Sequence, residues 1–100
     1  MKLNGFELPD EKLAELCRRS RVKELSVFGS VLRENVKPDS DVDLLVVFQP
    51  GARIGLIAFA RLQRELSELV GRKVDLVSKN GLKPLIRDEV IASSRVVYAA

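Results

Sequence analysis

Residues 26–48 read SVFGSVLRENVKPDSDVDLLVVF, and this stretch decides the fold. It joins two apolar runs, residues 24–28 and 41–48, through a polar segment that contains Gly and Pro. From Leu44 onward, apolar residues occupy both alternating positions of the second run, which is typical of a central strand covered on both faces. The stretch therefore predicts two strands, the second of them at the centre of a sheet.

The connection between these strands begins with an abrupt turn. Gly29 and Ser30 follow the first strand directly. A short helix is predicted over residues 31–35, and the sequence KPDS at residues 37–40 is a turn signal. The order is therefore strand, tight turn, helix, loop and strand.

The flanking sequence alternates helices with strands, marked by apolar residues at helical spacing and by runs rich in Val and Leu. The predicted elements are a helix over residues 9–20, a long helix ending at Gly71, a strand over 73–77, a helix over 84–92 and a strand over 95–99. The apolar positions on the long helix are Ile57, Ala60, Leu62, Leu66, Leu69 and Val70. Those on the helix over 84–92 are Leu85, Ile86, Val90 and Ile91. This alternation predicts an α/β (α+β) fold, a single mixed β-sheet with helices packed on it, whose strand order the pattern does not reveal.

The composition indicates one folded domain over residues 1–100. With 46% apolar residues the chain can form one core and is too short for two. The net charge of +3 is spread along the chain without a dense basic block, so charge does not indicate direct nucleic-acid binding. The longest apolar stretch, residues 54–62, is broken by Arg61 and is too short to cross a bilayer, so we expect no membrane association.

The cysteine and histidine content limits the chemistry that the chain can perform. Cys17 is the single cysteine, and the chain contains no histidine. An intrachain disulfide, a thiolate metal cluster, a zinc site built from imidazoles and a Ser-His-Asp mechanism are therefore excluded. We expect a cytoplasmic protein whose catalysis rests on carboxylates, basic residues or bound metal.

Asp41 and Asp43 lie at the start of the predicted central strand. Side chains alternate along a strand, so these carboxylates point the same way, roughly 6–7 Å apart. Asp75 interrupts the apolar run of another strand, where an acid is costly unless it is paired or bound to metal. Oxygen ligands without histidine favour magnesium. If the two strands are neighbours, three carboxylates meet and can bind two metal ions.

Gly29 and Ser30 stand where a strand ends and a helix is predicted to begin. Gly29 lets a backbone approach a ligand closely, and Ser30 lies where free amides favour phosphate. Arg33 could reach a phosphate or shield Asp41, and Lys37 is a weaker candidate for the same task. Taken singly, Gly29 and Ser30 also suit a turn and helix cap, Asp41 and Asp43 a solvated strand start, and Arg33 a surface salt bridge. Their joint occurrence at the ends of apolar strands indicates a site for metal and nucleotide.

These residues resemble the signature of the DNA polymerase β-like nucleotidyltransferase superfamily, which is Gly-Ser, a spacer and Asp-x-Asp. The chain is more similar still to the minimal nucleotidyltransferase branch, through PDSD at residues 38–41, GRKVDLV at residues 71–77 and the tail over residues 83–90. The resemblance covers nearly the whole chain and implies the palm-like nucleotidyltransferase fold of polymerase β.

The resemblance implies transfer of a nucleoside monophosphate, usually AMP from ATP, to a hydroxyl acceptor with release of pyrophosphate. By position, Gly29 and Ser30 would bind phosphates, Asp41 and Asp43 two magnesium ions, and Asp75 the catalytic metal and the attacking hydroxyl. Members of this branch commonly act as antitoxins beside a HEPN-type ribonuclease toxin, and some transfer AMP to a tyrosine of that toxin. A partner of HEPN type is implied, and the sequence leaves open whether the chain forms homo- or hetero-oligomers.

One rival function is a non-catalytic binding module that neutralises a toxin partner by direct masking. A nucleic-acid-binding sheet domain is disfavoured, because only 5% of the residues are aromatic and no aromatic-basic pattern is present. We expect another molecule to present the acceptor, across an exposed apolar surface that the sequence does not locate.

Overall fold

The computed structural model describes residues 2–3, 6–29 and 41–100, and the side chains of residues 7–29 and 41–100. The helix predicted over residues 31–35 and the turn at 37–40 lie outside the described residues. The described elements are β1 (Lys2–Leu3), β2 (Phe6–Glu7), α1 (Asp10–Arg19), β3 (Val22–Phe28), β4 (Val42–Phe48), α2 (Leu56–Val70), β5 (Val74–Ser78), a 3₁₀ turn (Lys79–Gly81), α3 (Pro84–Ser93) and β6 (Arg95–Ala99). The helices and strands predicted within the described part of the chain are present, with small shifts of their ends.

The main sheet has four strands in the order β5-β4-β3-β6. β4 runs parallel to β5 and antiparallel to β3, and β3 runs antiparallel to β6. β1 and β2 form a separate antiparallel pair. Because β4 has a neighbour on each side, the prediction that it is a central strand is confirmed. The mixed sheet with helices is the predicted α+β architecture.

One face of the sheet forms the hydrophobic core with α1 and α2. On β4, Val42, Leu44 and Val46 are fully buried in this core. The helices contribute the buried side chains Leu13, Leu16 and Cys17 from α1, and Leu62, Leu66 and Val70 from α2. Burial raises the pKa of the Cys17 thiol to about 12, so this cysteine is protonated core filling. Leu45, at the alternate position of β4, is also buried but lies outside this core cluster.

β5 is an edge strand whose outward amides are bound by α2. The backbone N–H of Val74 donates to Ser67 Oγ at 3.0 Å, and that of Leu76 donates to Gln63 Oε1 at 3.0 Å. A sheet edge without such partners exposes unpaired backbone groups. These two bonds hold β5 in place and therefore fix the strand that carries Asp75.

Helix α2 ends as the sequence predicts. Gly71 follows it with φ of 77°, a left-handed conformation that glycine adopts without the steric cost of a side chain. The Gly71 N–H donates to the Ser67 carbonyl oxygen at 2.9 Å. Within the described part of the chain, no helix combines the length and apolar character needed to cross a membrane.

The outer faces of α2 and α3 differ from the predicted apolar sides. Ile57 is 79% exposed and Ala60 is also exposed, whereas the rest of the predicted set on α2 packs inward. On α3, Leu85 is 96% exposed and no residue is fully buried. Apolar spacing predicts a helix correctly, but it does not say whether another element covers each apolar side chain. Part of the apolar surface of both helices is therefore open.

Candidate active site

Asp43 and Asp75 lie side by side on neighbouring strands. The Cα atoms of Asp43 and Asp75 are partners in the parallel β4–β5 pair, so both side chains leave the same face of the sheet. Asp41 lies one residue before β4, and the adjoining backbone is held by the Val42 N–H, which donates to the Lys73 carbonyl oxygen at 2.9 Å. β4 and β5 are thus adjacent, which is the condition the sequence analysis set for the carboxylates to meet, and the register pairs Asp43 with Asp75.

The environment of Asp43 changes its ionisation. Burial raises the pKa of Asp43 above its ordinary value, and repulsion from Asp75 and then from Asp41 raises it further. Asp41 and Asp75 are exposed, whereas Asp43 is half-buried. Asp75 is therefore not in the costly apolar environment that its place in the apolar run of β5 predicted. What brings Asp75 into the site is its register beside Asp43.

Lys73 supplies a positive charge beside these acids. Its Nζ lies 3.9 Å from Asp41 Oδ2, and the two side chains are 80% and 50% exposed. An ion pair this exposed contributes at most about 1 kcal/mol to stability. It marks Asp41 as a carboxylate that attracts a cation. The sequence predicted Lys73 only as the first residue of a strand, so its proximity to Asp41 was not predicted.

Gly29 lies against the Asp43 carboxylate. It follows β3 with φ of 82°, which residues with a side chain rarely adopt. A Cβ atom at this position would lie 3.3 Å from Asp43 Cγ and would overlap Asp43 Oδ2. Glycine is therefore required by its backbone and by its neighbour. The contact with Asp43 is one reason for a glycine here. The close approach of a ligand to Gly29, which the sequence analysis expected, stays a prediction.

Two predicted nucleotide-binding residues lie outside the described residues. Ser30 and Arg33 fall within residues 30–40, as does the weaker candidate Lys37. Their assignment to the triphosphate stays a prediction. Of the residues predicted to bind phosphate, the structure describes Gly29, at the end of β3.

The described acids fit a hard cation without enclosing one. Across residues 7–29 and 41–100, no three acidic or cysteine side chains are grouped closely enough to hold a metal ion by themselves. Magnesium typically takes one or two carboxylates and completes its shell with water and substrate phosphates. The pairing of Asp43 with Asp75 and the raised pKa of Asp43 suit such an ion. The donor set therefore fits magnesium that arrives with a triphosphate.

Gln63 and Ser67 are positioning residues that the sequence analysis missed. Their side chains bind the outer amides of β5 on either side of Asp75. The available signal was local: two polar residues one helical turn apart, each next to a buried leucine of α2. Nothing in that pattern revealed which strand they would contact.

A mixed sheet with paired aspartates beside a strand-end glycine is the arrangement of a nucleotidyltransferase. The nucleotidyltransferase domain family matches residues 10–97, and the chain belongs to this family of enzymes. Protein adenylyltransferase MntA of Thermococcus cleftensis is 44% identical over 84 residues, which cover 84% of this chain and 81% of that protein. The predicted membership in this class is confirmed.

Solved structures share the fold. A candidate minimal nucleotidyltransferase has a TM-score of 0.71 and 41% identity, with 86% of each chain covered. A toxin–antitoxin crystal structure with AMP-PNP has a TM-score of 0.73 and 21% identity, covering 93% of this chain and 75% of that one. A tri-AMPylated Shewanella oneidensis HEPN toxin in complex with an MNT antitoxin has a TM-score of 0.65 and 20% identity, covering 91% of this chain and 70% of that one. The predicted minimal nucleotidyltransferase fold is therefore confirmed.

Proposed function

We propose that this chain transfers AMP from magnesium-bound ATP to a hydroxyl group on a HEPN-type toxin and thereby acts as its antitoxin. The observation that carries this proposal is the pairing of Asp43 with Asp75 on parallel strands, with Gly29 against Asp43. The likeness to a complex with AMP-PNP and to one with an AMPylated HEPN toxin supports the choice of nucleotide and acceptor. We place this activity in one domain within residues 1–100, acting in the cytoplasm.

The three aspartates divide the chemistry according to their environments. Asp41 and Asp43 would hold magnesium, whose contribution when bound is to neutralise the triphosphate and align the attacking and leaving oxygens. Asp75 would share a metal ion and receive the proton of the acceptor hydroxyl. Its exposure suits this task, because the acceptor must come from outside the chain. The half-buried Asp43 suits a fixed ligand.

The proposed transfer is a displacement at the α-phosphorus of ATP. The acceptor oxygen bonds to the α-phosphorus of ATP as the bond from that phosphorus to the α–β bridging oxygen breaks. Pyrophosphate leaves, and the hydroxyl proton passes to Asp75. Gly29, Ser30 and Arg33 would bind the phosphates. Lys73, which lies beside Asp41, would be a further positive group near the triphosphate.

The deciding experiment follows α-labelled ATP. Purified protein with its co-expressed partner is incubated with magnesium, and label is measured on the partner while pyrophosphate is measured in solution. We expect label with the wild type and none with Asp43→Asn. The matched control is Glu11→Gln, which makes the corresponding acid-to-amide change at an exposed residue of α1 and should transfer normally. Label that persists with Asp43→Asn would contradict the assignment.

Direct masking of the toxin is the second candidate function. It is favoured by the exposed aliphatic side chains of α2 and α3, Leu56 at 90% and Leu85 at 96%, which can bury surface on a protein whether or not AMP is transferred. The two functions separate when Asp43→Asn protein is supplied in excess to cells that produce the toxin. Rescued growth would show masking, and continued toxicity would show that transfer is needed.

A further inference from the structure

The outer face of α2 carries an apolar and basic stripe. Ile57, Ala60, Arg61 and Arg64 follow one another at helical spacing and are all exposed; we call them the basic stripe. Ile57 is 79% exposed, and its neighbour Leu56 is 90% exposed. The opposite side of the helix is the one that packs in the core. A helix that already has a core side therefore presents a second apolar site to the outside.

The outer face of α3 carries a stripe of the opposite charge. Leu85, Asp88, Glu89 and Ala92 have the same helical spacing and are all exposed; we call them the acidic stripe. Leu85 is 96% exposed. Since no residue of α3 is fully buried, this ten-residue helix gains little from packing on its own molecule. An isolated helix of this length is marginal in water, so a contact on its outer face would stabilise it.

The charges of both stripes are available for an outside contact. Among the described residues, the ion pairs join Arg19 with Glu65 and Lys73 with Asp41, so neither stripe takes part in one. Each stripe has a large aliphatic residue at its N-terminal end and two like charges within the next two turns. A contact between two basic stripes or two acidic stripes would oppose like charges. A contact of the basic stripe with the acidic stripe would pair them while burying both aliphatic ends.

We propose that copies of this chain associate through the basic stripe of one copy and the acidic stripe of another. This contact is heterologous, because it joins different surfaces of the two copies. The partner is a second copy because the chain itself carries the complementary surface. A nucleic acid would be repelled by the acidic stripe, and neither stripe has an aromatic side chain for base stacking. This inference does not depend on the proposed transfer of AMP.

Charge reversal tests the pairing directly. One variant carries Arg61→Glu with Arg64→Glu, and the other carries Asp88→Lys with Glu89→Lys. Each variant alone would have two stripes of the same sign, whereas an equimolar mixture would again have opposite signs in contacts between the two variants. The measurement is sedimentation equilibrium from about 10 µM to about 1 mM protein, a range suited to a small interface. A third variant, Arg18→Glu with Lys23→Glu, reverses two exposed charges outside the stripes and serves as the control.

The expected result has three parts. The wild type and the control rise from 11.1 kDa toward larger masses as concentration increases. Each stripe variant alone associates at least about tenfold more weakly. The mixture associates as the wild type does, and more weakly at high salt. A wild type that stays monomeric throughout, a stripe variant that associates normally, a mixture that stays monomeric, or a control as weak as the variants would each overturn the proposal. Far-UV circular dichroism confirms that all variants are folded.

Discussion

The two faces of strand β4 differ in chemistry. On the helix-covered face, Val42, Leu44 and Val46 are completely buried among aliphatic neighbours. On the opposite face Asp43 is half-buried, repelled by Asp41 and Asp75, and pressed against Gly29. One face lowers the free energy of the fold, and the other carries like charges that raise it. The ligand proposed to bind there would compensate these charges.

Among substitutions on the two faces of β4, Asp43→Asn should have the largest effect on activity. The change keeps the size of the side chain and removes its charge, so transfer of AMP should fall at least about 10³-fold. The fold should survive, since no charge of Asp43 is needed for the core. Transfer rates and thermal unfolding on the same preparation check this. An Asp43→Asn protein that unfolds would make the acid structural.

Leu44→Ala should show the reverse behaviour. It leaves a cavity on the buried face, and the free energy of unfolding should fall by about 2–5 kcal/mol. Transfer per folded molecule should change little, because the side chain points away from the carboxylates. Urea unfolding gives the stability, and transfer measured well below the unfolding midpoint gives the activity. A large loss of transfer in fully folded protein would show that the two faces are not separate.

Gly29→Ala should damage both stability and activity. Its positive φ and the overlap with Asp43 Oδ2 together should lower the free energy of unfolding by about 1–3 kcal/mol. The two causes can be separated in a double-mutant cycle. In an Asp43→Ala background the overlap disappears, so Gly29→Ala should cost about 1 kcal/mol, the part due to φ alone. Equal costs in both backgrounds would rule out the contact with Asp43.

The smallest expected effect is a pH dependence of stability. The pKa of Asp43 is raised, by burial first and then by Asp75 and Asp41, so in the folded state it binds a proton more readily than in the unfolded chain. Stability should therefore fall as pH rises from the ordinary value of 3.8 through the folded pKa, and then level off. With a chelator present, Asp43→Asn should gain most over the wild type at pH 7, and this gain should shrink toward pH 4. A gain that stays constant would contradict the raised pKa.

The sequence predicted the parts of this comparison that depend on local pattern. Periodicity gave the helices and strands, and the alternation along β4 placed Asp43 away from Leu44. It could not place Asp75 beside Asp43, because strand order results from packing between distant segments. The contact of Gly29 with Asp43 and the bonds from α2 to β5 have the same origin. The exposed position of Ile57 was mispredicted because an apolar residue at helical spacing does not reveal whether another element covers it.

The assignment of these aspartates to a metal and triphosphate site is tested most directly by binding of manganese as a spectroscopic substitute for magnesium. Electron paramagnetic resonance titrations are run with and without AMP-PNP on the wild type, Asp43→Asn, Asp75→Asn and the control Glu11→Gln. We predict tight manganese binding to the wild type and the control when the nucleotide is present, and at least about tenfold weaker binding to the other two variants. Equal manganese affinity in all four proteins would contradict the site.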